Sequence, residues 1–152
     1  MPENNPSEIL ASLGLDQIRL PKDLQLALSA DPETFSNADL GTMEKYLQIL
    51  DGYILYLQVE TNKRSATFID LKKGLEEKLG FAVCKLQGSS LKEREFKALE
   101  QSSELQKMSL AVRQAEVATK VMDNFVDAIT EKLNVRKKIY DARIQERRFL
   151  SR

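Results

Sequence analysis

From Leu40 onward, apolar residues recur at alternating steps of three and four: Leu40, Met43, Leu47, Leu50, Ile54, Leu57, Thr61, Arg64, Phe68, Leu71 and Leu75. Nine of these eleven positions are apolar, which predicts a long helix with one stripe buried in coiled-coil-like packing. Ser36, three residues before Asp39, reads as its start signal. The register then steps by four to Leu79, Ala82 and Leu86, and Gly74 and Gly80 mark this stutter as a place for a bend, a break or local unwinding. The polar stretch Gln87-Gly88-Ser89-Ser90 predicts a turn, and Ser90 with Glu93 forms a capping box that opens a second helix.

The first half of that helix is irregular, with Phe96, Leu99, Leu105 and Leu110. Beyond Ala118 a heptad row runs through Val121, Phe125, Ala128, Lys132, Val135, Ile139, Ala142, Glu146 and Phe149. Met122, Ile129 and Leu133 lie beside the row and widen the apolar face past a two-stranded seam. Helices of roughly 45 and 55 residues joined by a short turn predict an all-α antiparallel hairpin. A lone hairpin cannot cover faces this wide, so a homo-oligomer is expected, with Val121, Phe125, Ile129 and Ile139 as assembly residues.

All four prolines, Pro2, Pro6, Pro21 and Pro32, precede a stretch of 120 residues with none. This separates a short irregular arm, residues 1–35, from a helical oligomerisation and binding domain, residues 36–152. Within the arm, Ile9, Leu10 and Leu13 fit one helical turn, while the alternation of Leu24, Leu26 and Leu28 suggests a short strand or an extended docking segment.

Composition narrows the chemistry. The chain has no His and one Cys, so an internal disulfide, a Cys/His zinc site and every imidazole-dependent catalytic arrangement are excluded. Cys84 reads as a small buried hydrophobe in a reducing compartment. Glu76, Glu77, Glu93 and Glu95 read as surface charge without a metal partner. A non-enzymatic binding or assembly protein is expected, with no metal and no cofactor. The longest apolar run is five residues, Tyr53 to Leu57, against the ~20 needed to span a bilayer. No export signal precedes it, and a cytoplasmic location is expected.

The formal charge is zero but polarised. Residues 1–40 hold seven acids and two bases, net −5, whereas residues 132–152 hold eight bases and two acids, net +6. A polyanion partner, or subunits packed acidic end to basic end, would use that asymmetry. The macrodipole favours bases only in the last helical turn and does not account for eight. The cations of the C-terminal helix, Arg136, Lys137, Lys138, Arg143, Arg147 and Arg148, are candidates to track phosphates. On the first helix, Lys63, Arg64, Lys72 and Lys73 follow Tyr53 and Tyr56, an interleaving of cations and aromatics that suits single-stranded nucleic acid. For Arg64 an interhelical ion pair is an alternative, and for the two tyrosines a subunit boundary.

The order of parts resembles the UvsY-like recombination mediators of T4-type phages: an early Leu/Tyr-rich helix, an L-K-x-x-L segment, a polar break, a long second helix and a basic end. The segment is Leu71-Lys72-Lys73-Gly74-Leu75. The family reads L-K-A-R-L there, so Lys73 replaces a small residue and Gly74 stands in place of an arginine. Further on, Ala128-Ile129-Thr130 followed by Arg136 is similar in layout to the family's last helix, and the likeness spans roughly residues 40–140. It implies a ring of six or seven subunits assembled through the C-terminal helices. It also implies single-stranded DNA bound at the backbone, no catalysis, and help to a phage recombinase in displacing single-strand-binding protein, in the host cytoplasm. Lys63, Arg64, Lys72 and Lys73 are then the expected phosphate contacts, with Arg136, Lys137 and Lys138 next. A ring would multiply a weak site by effective concentration. The competing expectation is a coiled-coil structural or adaptor protein of a phage particle, whose basic end docks on a neighbour's acidic arm.

Overall fold

The computed structural model describes residue 15 and residues 17–150, all of whose regular structure is helical. In chain order the helices are α1 (Lys22–Ser29), α2 (Pro32–Asn37), α3 (Leu40–Cys84), α4 (Leu91–Gln101) and α5 (Ser103–Leu150). They form two compact units, one of Met1–Gln17 with Thr61–Val121, the other of Ile18–Glu60 with Met122–Arg152. Helices α3 and α5 each contribute to both. The proposed turn at Ile9, Leu10 and Leu13 lies outside the described residues.

In the unit holding residues 18–60, α3 buries Met43, Leu47, Leu50, Ile54 and Leu57, part of the stripe its sequence predicts, and Tyr53 beside it. In the same unit α5 buries Met122, Ile129, Leu133 and Arg136. Asp51 meets Lys137, and Asp39, Leu40 and Gly41 share a groove with Arg143 and Arg147, so the two helices run antiparallel here. The buried row on α5 lies one position beyond the Val121–Phe149 row. That row would have placed Lys132 and Glu146 inside, whereas the adjacent one buries Met122, Ile129 and Leu133 with Arg136 and leaves its later charges, Arg143 and Arg147, exposed.

The start of α3 is also shifted. Asp39, not Ser36, caps it: Thr42 N–H donates to Asp39 Oδ1 at 3.0 Å and the Thr42 hydroxyl to Oδ2 at 2.6 Å, which holds the Asp39 carboxyl below its ordinary range. Ser36 belongs to α2 and donates to the Glu33 carbonyl at 2.9 Å. Leu24 and Leu28 sit four apart on a helix, not on a strand. Helix α1 buries Leu24 and Ala27, three apart, and Pro21 tolerates the position before its first turn. Helix α2 opens on Pro32 after an Asp31 cap and buries Phe35 completely.

In the other unit, Val83, Ala98 and Leu105 form a core with Leu75, Leu79, Ala82, Leu86 and Leu99 packed on it. Helix α3 runs unbroken through Gly74 and Gly80. Gly74 lies where α5 passes close, since a Cβ there would meet Met108 Cε at 3.8 Å. The break falls elsewhere, at Ser102. Its Oγ accepts from Leu105 N–H at 3.2 Å and starts α5, while Gln106 Nε2 donates to the Leu99 carbonyl at 2.9 Å and closes α4. The expected single helix of roughly 55 residues is therefore two, because a serine cap and a glutamine back-bond satisfy the ends without Gly or Pro. Cys84 is exposed, not buried; its neighbour Val83 takes the core position.

The Ser90 cap of α4 is present, since Glu93 N–H donates to Ser90 Oγ at 3.2 Å, but the return bond of the box goes to Ser89 instead of Ser90. Glu93 itself accepts from Lys97 at 2.7 Å and from the Ser89 hydroxyl and N–H at 2.6 and 3.0 Å. Led by the Lys97 and Ser89 hydrogen bonds, these donors pull its carboxyl from 4.5 down to about 2. A depressed acid stabilises the fold above its unfolded pKa and loses that contribution as protons bind. The expected result is that Glu93 titrates near pH 2 by carboxyl-carbon NMR, with its stabilisation lost as pH falls from 4.5 toward 2. A Glu93 midpoint near 4.5 would show that the box does not hold in solution.

Candidate nucleic-acid interface

The first cluster sits on α3 in the Thr61–Val121 unit. Lys63, Lys72 and Lys73 are exposed and Arg64 is half-buried. At 3.6 residues per turn, Lys63, Arg64, Lys72 and Lys73 fall at about 0°, 100°, 180° and 280° around the helix. The four do not share a face. They make two pairs, Lys63 with Lys73 and Arg64 with Lys72, each within about 80°. Lys72 also lies 3.9 Å from Glu76, an exposed pair worth little. Glu116, held low by its Lys120 hydrogen bond, feels the Lys72 charge as well.

The tyrosines do not offer two stacking faces. Tyr53 is 7% exposed, and its hydroxyl donates to the Arg19 carbonyl at 3.0 Å. Burial, with the Tyr56 phenol second, pushes it up to about 12. Tyr56 is half-buried, its ring 5.6 Å from that of Tyr53. Both line a groove under residues 19–24.

The basic end of α5 divides into an inward and an outward part. Arg136, expected to meet phosphate, is 5% exposed and turned inward. Its guanidinium donates to the Ala30 carbonyl, to that of Leu28 at 3.5 Å and to that of Lys132 at 3.4 Å, and lies 5.9 Å from the Phe35 ring centre. Burial lowers its pKa. The reason is positional: Arg136 falls on the row of Met122, Ile129 and Leu133, where α1 ends with carbonyls to satisfy. Lys137 is engaged with Asp51 at 3.4 Å, and Lys138 is exposed.

What remains is a stripe that joins two of the expected C-terminal cations, Arg143 and Arg147, to Lys132, which was not among them. Lys132, Arg143 and Arg147, all exposed, fall within about 60° of one another around α5, an arc that also holds buried Arg136, so the side of the helix that is covered at Arg136 is open at Arg143 and Arg147. Arg143 and Arg147 flank a groove of about 540 Å³ with Leu40, Gly41, Leu150, Asp39 and Glu146. The signal for the stripe was the spacing of 132, 143 and 147, offsets of eleven and four, which repeats the helical period.

The assembly candidates divide as well. Ile129 is 2% exposed and packs inside its own chain, while Phe125 and Ile139 are half-buried and Val121 is 37% exposed. Val135 and Phe149 are also exposed, at 43% and 77%. Of the acids expected on the surface, Glu93 and Glu95 are half-buried, and Glu93 serves the cap. Among the described residues no cluster of three His, Cys, Asp or Glu is placed to hold a metal ion, and no helix is long and apolar enough to cross a membrane. Compared with known protein families, proteins and solved structures, the chain matches none.

Proposed function

We propose that this protein is a non-enzymatic, self-assembling helical hairpin that binds single-stranded DNA without sequence preference and mediates loading of a recombinase. The observation that carries the reading is the exposed stripe of Lys132, Arg143 and Arg147 in a segment of net charge +6. Lys63, Lys72 and Lys73 add exposed cations in the other unit. Assembly rests on the heptad row itself: Val121, Ala128, Val135, Ala142 and Phe149 are exposed one position away from the buried row, a second apolar edge for another subunit. A ring of such subunits gives each weak patch many copies on one strand, which lets a neutral chain bind a polyanion.

The test is fluorescence anisotropy of a labelled oligonucleotide over a series of salt concentrations. Binding is expected to weaken linearly in log–log form, with a slope of about −0.7 per phosphate neutralised. The double change Arg143→Ala/Arg147→Ala is expected to reduce that slope by about 1.4 and to lower affinity for all sequences alike. Lys72→Ala is expected to weaken binding less. Failure of the assembled protein to bind at low salt would leave the alternative, a structural or adaptor protein, which the exposed row on α5 favours independently.

A further inference from the structure

Phe81 is 75% exposed on α3, although a phenylalanine left in water gains nothing for folding. Lys78 and Lys85 stand three residues before and four after it, the two spacings that place side chains beside one another on a helix face. All three line a groove of about 430 Å³ in the Thr61–Val121 unit, with Gln101 and Ser102 at the break between α4 and α5 opposite them. An open aromatic face between two ammonium groups, beside amide and hydroxyl groups, matches one ligand chemistry: a base that stacks, with a phosphate on either side. Two acids share this surroundings. Glu104 bonds Lys78, and Glu77 lies four residues before Phe81. Lys85 has no acid bridged to it among the described residues and is the stronger phosphate contact.

We infer that Phe81 is a stacking platform for a base of single-stranded DNA, with the Lys85 ammonium, and Lys78 once it leaves Glu104, on the adjoining phosphates. The inference rests on the DNA-binding reading and adds a contact to the bases, whereas the stripes of cations touch the backbone alone.

The chain has no tryptophan and four tyrosines, so Phe81→Trp introduces a single tryptophan at the platform, excited selectively at the red edge of its absorption. Titrating the full-length variant with an oligothymidine is expected to quench its emission. Phe81→Ala is expected to weaken binding by about 5- to 150-fold with the salt slope unchanged. Lys85→Ala is expected to reduce the slope by about 0.7, and Glu104→Gln to tighten binding by releasing Lys78. Since Phe81 is exposed, Phe81→Ala should melt like the parent protein.

If the parent protein binds DNA while Phe81→Ala binds equally well and the tryptophan is not quenched, the stacking site is overturned and the broader function stands. If the parent does not bind, both fall. A loss of oligomer mass in Phe81→Ala by sedimentation would make the ring a subunit contact and would also overturn the assignment.

Discussion

Replacing Phe35 with alanine is expected to lower the free energy of unfolding by about 3–5 kcal/mol, a large share of a typical domain's 5–15 kcal/mol. Phe35 is wholly buried, its ring 6.5 Å from that of Tyr46 and stacked on it, with the Arg136 guanidinium over the Phe35 ring at 5.9 Å from its centre. Truncation removes the transfer free energy of the ring and leaves a cavity that α2 cannot close. At six residues α2 is too short to persist without tertiary contacts, and Phe35 is its only buried residue. Chemical denaturation monitored by circular dichroism measures the loss. A change below about 1 kcal/mol would show that α2 is not docked in solution. The residue lies at the end of what the proline pattern marks as an irregular arm, so the experiment also asks whether that arm is part of the folded unit.

How much of this was legible in the sequence depends on whether one local period had a competitor. On α3 the competitor is short: Tyr46, Ile49, Tyr53 and Tyr56 run at the same steps but meet Glu60, whereas the row from Met43 runs on to Thr61 and is buried throughout. On α5 two adjacent rows compete. Val121, Ala128 and Val135 repeat as regularly as Met122, Ile129 and Leu133, and spacing cannot choose between them. Only packing against α3 does, and it takes the row with the larger side chains although that row carries Arg136. Charge type was misleading there for the same reason, since an arginine read alone belongs on the surface, and the carbonyls that recruit it are more than a hundred residues away in sequence. The break at Ser102 was invisible because Gln101-Ser102-Ser103 holds no Gly or Pro; its cap is a local hydrogen bond that a helix interior would equally have tolerated. The proposed stacking residue Phe81 was hidden by the stutter, which made its side of α3 impossible to assign to core or solvent.

Arg136 gives the second large effect, and here two opposing terms must be weighed. Removing a buried charge returns its desolvation cost, and exchange of buried ionic groups for hydrophobic ones is often neutral or favourable. Arg136, however, faces neutral carbonyls at the end of α1, and no carboxylate is bridged to it among the described residues. Hydrogen bonds from a charged donor contribute about 1.5–3 kcal/mol each, and the guanidinium above Phe35 adds roughly 0.5–2 kcal/mol. The expected result for Arg136→Met is therefore a net loss of about 2–4 kcal/mol, with the Leu28 and Ala30 carbonyls left without their donor. Arg136→Lys should fail to rescue, because one ammonium cannot reach separate carbonyls in a planar fork while lying over a ring. A stable Arg136→Met variant would show that desolvation wins and that the contact serves specificity of packing. A double-mutant cycle with Phe35→Leu is expected to give a coupling of about 0.5–3 kcal/mol, since the two side chains touch. Because the guanidinium faces inward, the proposed function predicts that any DNA affinity of the parent is kept in folded Arg136→Met and reduced in Arg143→Ala/Arg147→Ala, which anisotropy on the two variants compares directly.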